Sequence, residues 1–203
     1  MHRPEPSTAV LFDLDGTLVD SAAAITRCWT RICATHRLDL DEVLRIHAGR
    51  PATSTIRLVA PRLAETAVAA IGTAHLALEY DDTADVTARP GALDLIAELD
   101  RMGLPWAVVT SGDRRLAEAR LDAAGISTKL LITTDDVTTA KPDPEGYLLA
   151  ARILGVPASG CVVVEDAAVG IEAGRRAGMR VIGVEGAPAE VVVAQLMDLL
   201  DLL

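Results

Sequence analysis

Two carboxylates, Asp13 and Asp15, close a short apolar run in the stretch Val10–Ser21, which reads V-L-F-D-L-D-G-T-L-V-D-S. The apolar residues before them read as a buried strand. Side chains alternate along a strand, so carboxylates at i and i+2 face the same way. Like charges held that close repel, and one pKa rises. A divalent cation would relieve the repulsion and make the pair part of an oxygen site. Asp15-Gly16 would also suit a hairpin turn. The residues after it, Thr17-Leu18-Val19, are too few for a return strand. Ser21 instead reads as the N-cap of a helix with apolar positions Ala24, Ile25, Cys28, Ile32 and Cys33.

Three further stretches carry chemistry. Glu165 and Asp166 end the apolar run Cys161–Val164 and form a second acidic strand tip, which would complete an oxygen site for Mg²⁺. Thr110-Ser111-Gly112 follows a strand at Pro105–Thr110. The Thr110 hydroxyl and the backbone N–H groups of Ser111 and Gly112 would suit phosphate oxygens at a helix N-terminus, although the same residues make an ordinary helix start. Lys141, in T-A-K-P-D-P, would by itself be a solvated loop lysine. Its meaning comes from context, because a site of carboxylates that takes an anion needs a local cation. In the loop H-A-G-R-P, Arg50 could meet substrate hydroxyls or a second anionic group, with a plain surface arginine as the simpler reading. Asp20 reads as a helix cap alongside Ser21, and Asp135 and Asp136 as solvated loop residues.

The elements that must position these residues follow from periodicity. After the Asp loop, residues 21–84 look helical throughout, with pieces near Asp41–Ile46 and Pro61–Tyr80. The second piece has Leu63, Ala67, Ala70, Ile71, Ala74 and Leu78 on one face. From Pro90 onward helices and strands alternate: helix Gly91–Met102, strand Pro105–Thr110, helix Arg114–Ala124, strand Leu130–Thr133, helix Pro144–Leu154, strand Cys161–Glu165, helix Val169–Ala177 and strand Arg180–Val184. Residues 188–203 are expected to add a closing helix. Such alternation implies an α/β fold, a Rossmann-like parallel sheet with helices on both faces. The expected organisation is a discontinuous core, residues 1–19 and 84–203, interrupted at 20–83 by a small helical insert. Leaving directly after the Asp loop, the insert would lie over the C-terminal strand ends, where open α/β sheets bind ligands, and would form a lid.

Bulk properties bound the reading. Half of the 203 residues are hydrophobic, which excludes general disorder, and only 2% are aromatic, so the core must be aliphatic. A net charge of −10 argues against nucleic acid and anionic membrane surfaces, and it also repels phosphate at long range. Cys28, Cys33 and Cys161 are odd in number and lack metal spacing, which reads as reduced core thiols in a cytoplasmic protein. The N-terminal residues do not read as a signal peptide, and no stretch has the length of a membrane span.

The D-L-D-G-T-L-V-D-S run from Asp13, the T-S-G at Thr110, the K-P-D-P at Lys141 and the V-V-V-E-D-A-A-V-G-I ending beyond Asp166 together resemble the haloacid dehalogenase-like hydrolase superfamily, in the family's motif order. The resemblance implies a helical cap between the first and second motifs. It implies Asp13 as nucleophile, Asp15 as general acid and base, and Thr110 and Lys141 as phosphate-binding groups. It also implies a Mg²⁺ site made of Asp13, the Asp15 backbone carbonyl and Asp166, with Glu165 on the metal or on its water. As proton donor Asp15 must be protonated, and raising a carboxyl from ~3.9 to near 7 corresponds to about 4 kcal/mol of environmental work.

Within the superfamily, the presence of Asp15 argues against halide release. Ion-pumping members carry Thr there, and the phosphonate-cleaving branch needs a cap lysine, which residues 20–83 lack. Ile25 stands ten residues past Asp15, where the sugar phosphomutases resembling this chain typically carry His. Mutase activity is therefore the second expectation, and a non-catalytic metabolite-binding protein a remote third. The first is hydrolysis of small phosphorylated metabolites, sugar or sugar-alcohol phosphates, with glycerol phosphate phosphatases also similar.

Overall fold

The computed structural model describes residues 8–184 and 186–203. The expected tail over residues 1–8 lies, apart from Thr8, outside the described residues. The chain opens with strand β1 (Ala9–Phe12), each residue buried. A two-residue strand, β2 (Val19–Asp20), leads into four helices: α1 (Ala22–His36), α2 (Leu40–Ile46), α3 (Ala52–Val59) and α4 (Glu65–Asp81). β3 (Thr87–Ala88) returns antiparallel to β2. Then follow α5 (Ala92–Met102), β4 (Trp106–Val109), α6 (Arg114–Ala123), β5 (Leu131–Ile132), α7 (Glu145–Leu154), β6 (Cys161–Glu165), α8 (Ala168–Arg176), β7 (Arg180–Val184) and β8 (Val192–Val193). A 3₁₀ turn at Leu196–Leu202 closes the chain.

Six strands form one parallel sheet in the order β5-β4-β1-β6-β7-β8. From β1 the chain winds outward to β4 and β5, then crosses back to β6 on the other flank. β1 is therefore the topological switch point, and a crevice opens there at the C-terminal strand ends. Strand side chains alternate faces. Val10, Phe12, Val108, Val162 and Val164 pack with α5, α6 and the terminal 3₁₀ turn, while Leu11, Val109 and Val163 pack with α7 and α8. The four inserted helices have their own small core of Trp29, Ile32, Cys33, Val43, Ile56, Val68 and Ile71.

The α/β architecture agrees with the reading of the sequence, with four local corrections. The insert is entered and left through the β2–β3 ribbon, not through plain connections. Ala52–Val59 forms a helix of its own, and the next helix begins at Glu65 instead of Pro61. The buried face of α4 is Val68, Ile71, Gly72, His75 and Glu79, whereas Ala70 and Ala74 are exposed. The C-terminal segment supplies β8 before its final turn. Among the described residues no helix is long and apolar enough to cross a membrane, and all three cysteines are buried and unpaired.

Candidate active site

β1 delivers Asp13 one residue beyond its last paired residue, with the Asp13 N–H donating to Val164 O at 3.0 Å. β6 ends on Glu165, with Asp166 next. The two acidic tips meet because β1 and β6 are neighbours in register, Phe12 opposite Val164. Carboxylate oxygens of Asp13, Glu165 and Asp166 lie within 4.8 Å of one another.

One cation sits among them. Lys141 comes from the loop before α7, and its Nζ donates to Asp13 Oδ1 at 2.5 Å and to Glu165 Oε1 at 2.7 Å. Glu165 is fully buried and held on every side. Tyr147 Oη donates to Oε1, and the N–H groups of Asp166 and Ala167 donate to Oε2. Asp166 differs, because its Oδ1 is buried and has no partner. A side chain at Gly16 would strike Asp166, since a Cβ there would lie 2.1 Å from Oδ2.

Electrostatics follow from this count of three carboxylates and one ammonium. Burial pushes the Asp13 carboxyl well up despite Lys141, with Glu165 and Asp166 adding to the rise. Burial, then Glu165, pushes Asp166 up to about 7. Burial alone would lower Lys141, but Asp13 and Glu165 outweigh it and hold the ammonium charged. The cluster is short of positive charge by about two units, which matches a divalent cation. The partnerless Asp166 oxygen, next to an Asp13 carboxylate that Lys141 meets through Oδ1, suits a hard, oxygen-seeking ion such as Mg²⁺.

Asp15 lies in a tight loop beyond Asp13, where Leu18 and Val19 N–H groups both donate to Leu14 O. Its carboxylate has different partners. Ser21 Oγ donates to Oδ1 at 2.6 Å, and Arg120 Nη1 donates to Oδ2 at 2.7 Å. Ser21 therefore does not cap α1 with its side chain as expected. Arg120 also donates to Glu79 Oε1 on α4, at 2.8 Å. Burial opposes the charged forms of both, yet Asp15 and then Glu79 hold Arg120 above its ordinary value, while His75 and then Arg120 hold Glu79 below its own.

Thr110 follows β4, and its Oγ1 accepts from Gly112 N–H at 3.1 Å, which leaves its own proton to donate. The Ser111 hydroxyl donates to Gly49 O of the insert at 2.8 Å. Asp13, Asp15, Thr110, Ser111 and Asp166 all face one cavity of about 440 Å³, roofed by the insert through Ile25, Trp29, His47, Arg50 and Leu76. Arg50 is half-buried there, with Nε donating to Ile46 O at 3.1 Å. Lys141 and Glu165 lie just behind the wall. Asp135 and Asp136 are not merely solvated. Asp135 accepts from Arg114 N–H, and Asp136 accepts from the Arg114 guanidinium and from Thr133.

Arg120 and Glu79 were not singled out from the sequence, although a signal existed. Leu116, Ala117, Arg120 and Leu121 share one buried stripe of α6, as do Val68, Ile71, Gly72, His75 and Glu79 of α4. A charged residue on a buried stripe must find a partner.

The family described as haloacid dehalogenase-like hydrolase matches this chain over residues 8–178. Hexitol phosphatase A of Escherichia coli (strain K12) is 42% identical over 181 residues, covering 89% of this chain and 83% of that protein. Validoxylamine A 7'-phosphate phosphatase of Streptomyces hygroscopicus subsp. limoneus is 42% identical over 179 residues, covering 85% and 83%. A hydrolase from Pseudomonas syringae shares the fold with a TM-score of 0.87 at 28% identity, over 97% of both chains. Sequence match, sheet order and the crevice at β1 agree, and the chain belongs to the haloacid dehalogenase-like hydrolase family.

Proposed function

We propose that this chain is a Mg²⁺-dependent phosphatase that hydrolyses sugar or sugar-alcohol monophosphates through an aspartyl-phosphate intermediate, with residues 20–83 acting as its cap. The observation that carries the reading is the division of labour between two carboxylates. Asp13 is gripped by Lys141 beside the partnerless oxygen of Asp166, while Asp15 is held apart by Ser21 and Arg120. A cavity of about 440 Å³ suits a small metabolite. The hexitol-phosphate relative supports the substrate class, and Ile25 on the cavity wall disfavours the mutase reading. A cytoplasmic location is supported by the unpaired, buried thiols.

Bound at Asp13, Asp166 and the Asp15 backbone carbonyl, Mg²⁺ would neutralise charge on the phosphate oxygens. Lys141 adds a fixed positive charge, and Thr110 and the Ser111 N–H donate to the same oxygens. Glu165 serves this reading by holding Lys141. A carboxylate oxygen of Asp13 attacks phosphorus. The bond from phosphorus to the ester oxygen breaks, its electron pair stays on that oxygen, and Asp15 supplies the proton. Water then attacks phosphorus while Asp15 takes its proton. The bond to Asp13 breaks, releasing inorganic phosphate and restoring the Asp13 carboxylate and the protonated Asp15.

The test is phosphate release from a panel of hexose, hexitol, pentose and glycerol phosphates, with Mg²⁺ and with EDTA, for the wild type and Asp13→Asn. The expected result is metal-dependent release that falls by about 10⁶-fold in the variant, the scale set by removing a nucleophile. Unchanged turnover by Asp13→Asn overturns the assignment. Conversion of β-glucose 1-phosphate to glucose 6-phosphate without release moves the reading to a mutase.

A further inference from the structure

Asp15 belongs to the core, yet the residue that fixes its carboxylate is itself held from the cap. Arg120 is 4% exposed, and its two Nη atoms reach carboxylates 105 and 41 residues away, Asp15 at 2.7 Å and Glu79 at 2.8 Å. Behind Glu79 stands His75, with Nδ1 3.3 Å from the other Glu79 oxygen, and the His75 ring lies 4.0 Å from that of Trp29. The α4 carboxylate is thus buried and seated against the cap's own core. A guanidinium is a planar fork, so fixing one arm orients the other.

We infer that Glu79 and Arg120 are positioning residues that couple cap closure to the orientation of Asp15. With the cap seated, Glu79 aligns Arg120 and Arg120 aligns Asp15. When the cap lifts, Glu79 leaves with it, and a buried arginine that loses a partner must reorganise. Each Asp15 oxygen accepts one protein hydrogen bond and keeps a second lone pair for the transferred proton. Proton transfer would therefore be available only over an enclosed substrate, which also keeps bulk water from the acyl phosphate. The inference rests on the phosphatase reading and on Asp15 as its acid.

The experiment uses leaving-group dependence, which a merely structural role would not change. A sugar alkoxide must be protonated as it departs, and a nitrophenolate need not be. Single-turnover ester cleavage is measured in Glu79→Gln, Arg120→Lys and Arg120→Met, with the best polyol phosphate of the panel and with p-nitrophenyl phosphate. For Glu79→Gln and Arg120→Met we expect cleavage of the polyol ester to fall by about 30-fold or more with KM within about 3-fold, and the nitrophenolate burst to fall far less. Arg120→Lys should recover part of the loss. Equal losses on both leaving groups, no loss, or a loss carried by KM would overturn the inference. Glu79→Gln is close to isosteric and carries the test if Arg120→Met fails to fold. If Asp13→Asn retains turnover, the aspartyl-phosphate reading on which the inference rests has failed. If that variant is dead and the leaving-group ratio does not move, only the coupling has.

Discussion

Glu165 and Lys141 form an ion pair at 2.7 Å with both side chains buried, and the same ammonium reaches Asp13. The position of Asp13 is therefore set by a residue 128 positions away, which is in turn set by one that lies outside the 440 Å³ cavity. Glu165→Ala would leave Tyr147 Oη and two N–H groups without an acceptor and halve the charge facing Lys141. Breaking such a buried pair costs about 3–5 kcal/mol. At this chain length that corresponds to a Tm drop of roughly 6–20 °C in a thermal melt. If Glu165 holds Lys141 and is no metal ligand, Glu165→Gln should leave the Mg²⁺ concentration for half-maximal activity within about 3-fold of wild type. Asp166→Asn should raise it by more than about 10-fold, since even a partner behind a ligand is worth that much. Equal shifts in the two would put Glu165 on the metal.

Metal removal should change stability in a pH-dependent way. Without metal, burial and the Glu165 charge lift Asp166 to about 7, far above an unfolded aspartate at about 3.9. Between those values the native state holds a proton that the unfolded chain has released. The stability of the metal-free protein therefore declines as pH rises through that window. Mg²⁺ must displace the same proton, so its binding strengthens over the same range. The rise in Tm on adding Mg²⁺ to EDTA-treated protein should be larger at pH 8 than at pH 5. At saturation near 100 times Kd the gain is about 2.7 kcal/mol. A shift of equal size at both pH values would count against Asp166 as a ligand.

Gly170 supplies a case where two effects of opposite sign can be weighed. It lies within α8, where replacing glycine by alanine ordinarily stabilises by about 1 kcal/mol. A Cβ at this position would fall 1.6 Å from Glu165 Oε1. The side chain it meets is the fully buried anchor of Lys141, so it has no room to withdraw. The contact should win, and Gly170→Ala should be destabilised by about 3 kcal/mol or more, as for other disruptions of a buried charge network. Chemical denaturation checks the sign, and ester cleavage should fall with it because Lys141 loses its register.

How much of this was legible in the sequence depended on how local the cause was. β6 was read with its true ends because a strand buried throughout carries a continuous apolar run, and β7 because Val181, Ile182 and Val184 still mark an apolar segment. Asp13, Asp15, Lys141 and Asp166 could be singled out because their motifs are local. α3 was missed because only Thr55 and Ile56 of its eight residues are buried, too few to show a period. The α4 stripe was misplaced because alanine is nearly neutral to burial, so Ala70 and Ala74 counted as core while His75 and Glu79 did not. The β2–β3 ribbon has two residues per strand and no periodicity to detect. Arg120 is explained only by Asp15 and Glu79, which the fold brings to it from two other elements.

The insert also rests on the core through Gly49, and this contact gives a separate measure of cap seating. Gly49 has φ +70°, in the left-handed region, and a Cβ there would come within 2.7 Å of Val169 and 2.8 Å of Ala167 at the start of α8. Its carbonyl accepts from Ser111 Oγ, so the loop that carries Arg50 lies directly on the T-S-G turn that lines the cavity. Gly49→Ala would push this loop away from both. The left-handed backbone costs about 1 kcal/mol for alanine, a small loss for the whole fold. Misplacing a substrate-enclosing element by about 1 Å can cost 10²-fold in rate. Gly49→Ala should therefore lower kcat/KM for a polyol phosphate by about 10-fold or more while Tm falls by only a few degrees. Ser111→Ala, which removes the hydroxyl donated to Gly49 O without crowding, should show the same effect more weakly. A Gly49→Ala enzyme with wild-type kcat/KM would mean that the loop seats independently of this contact.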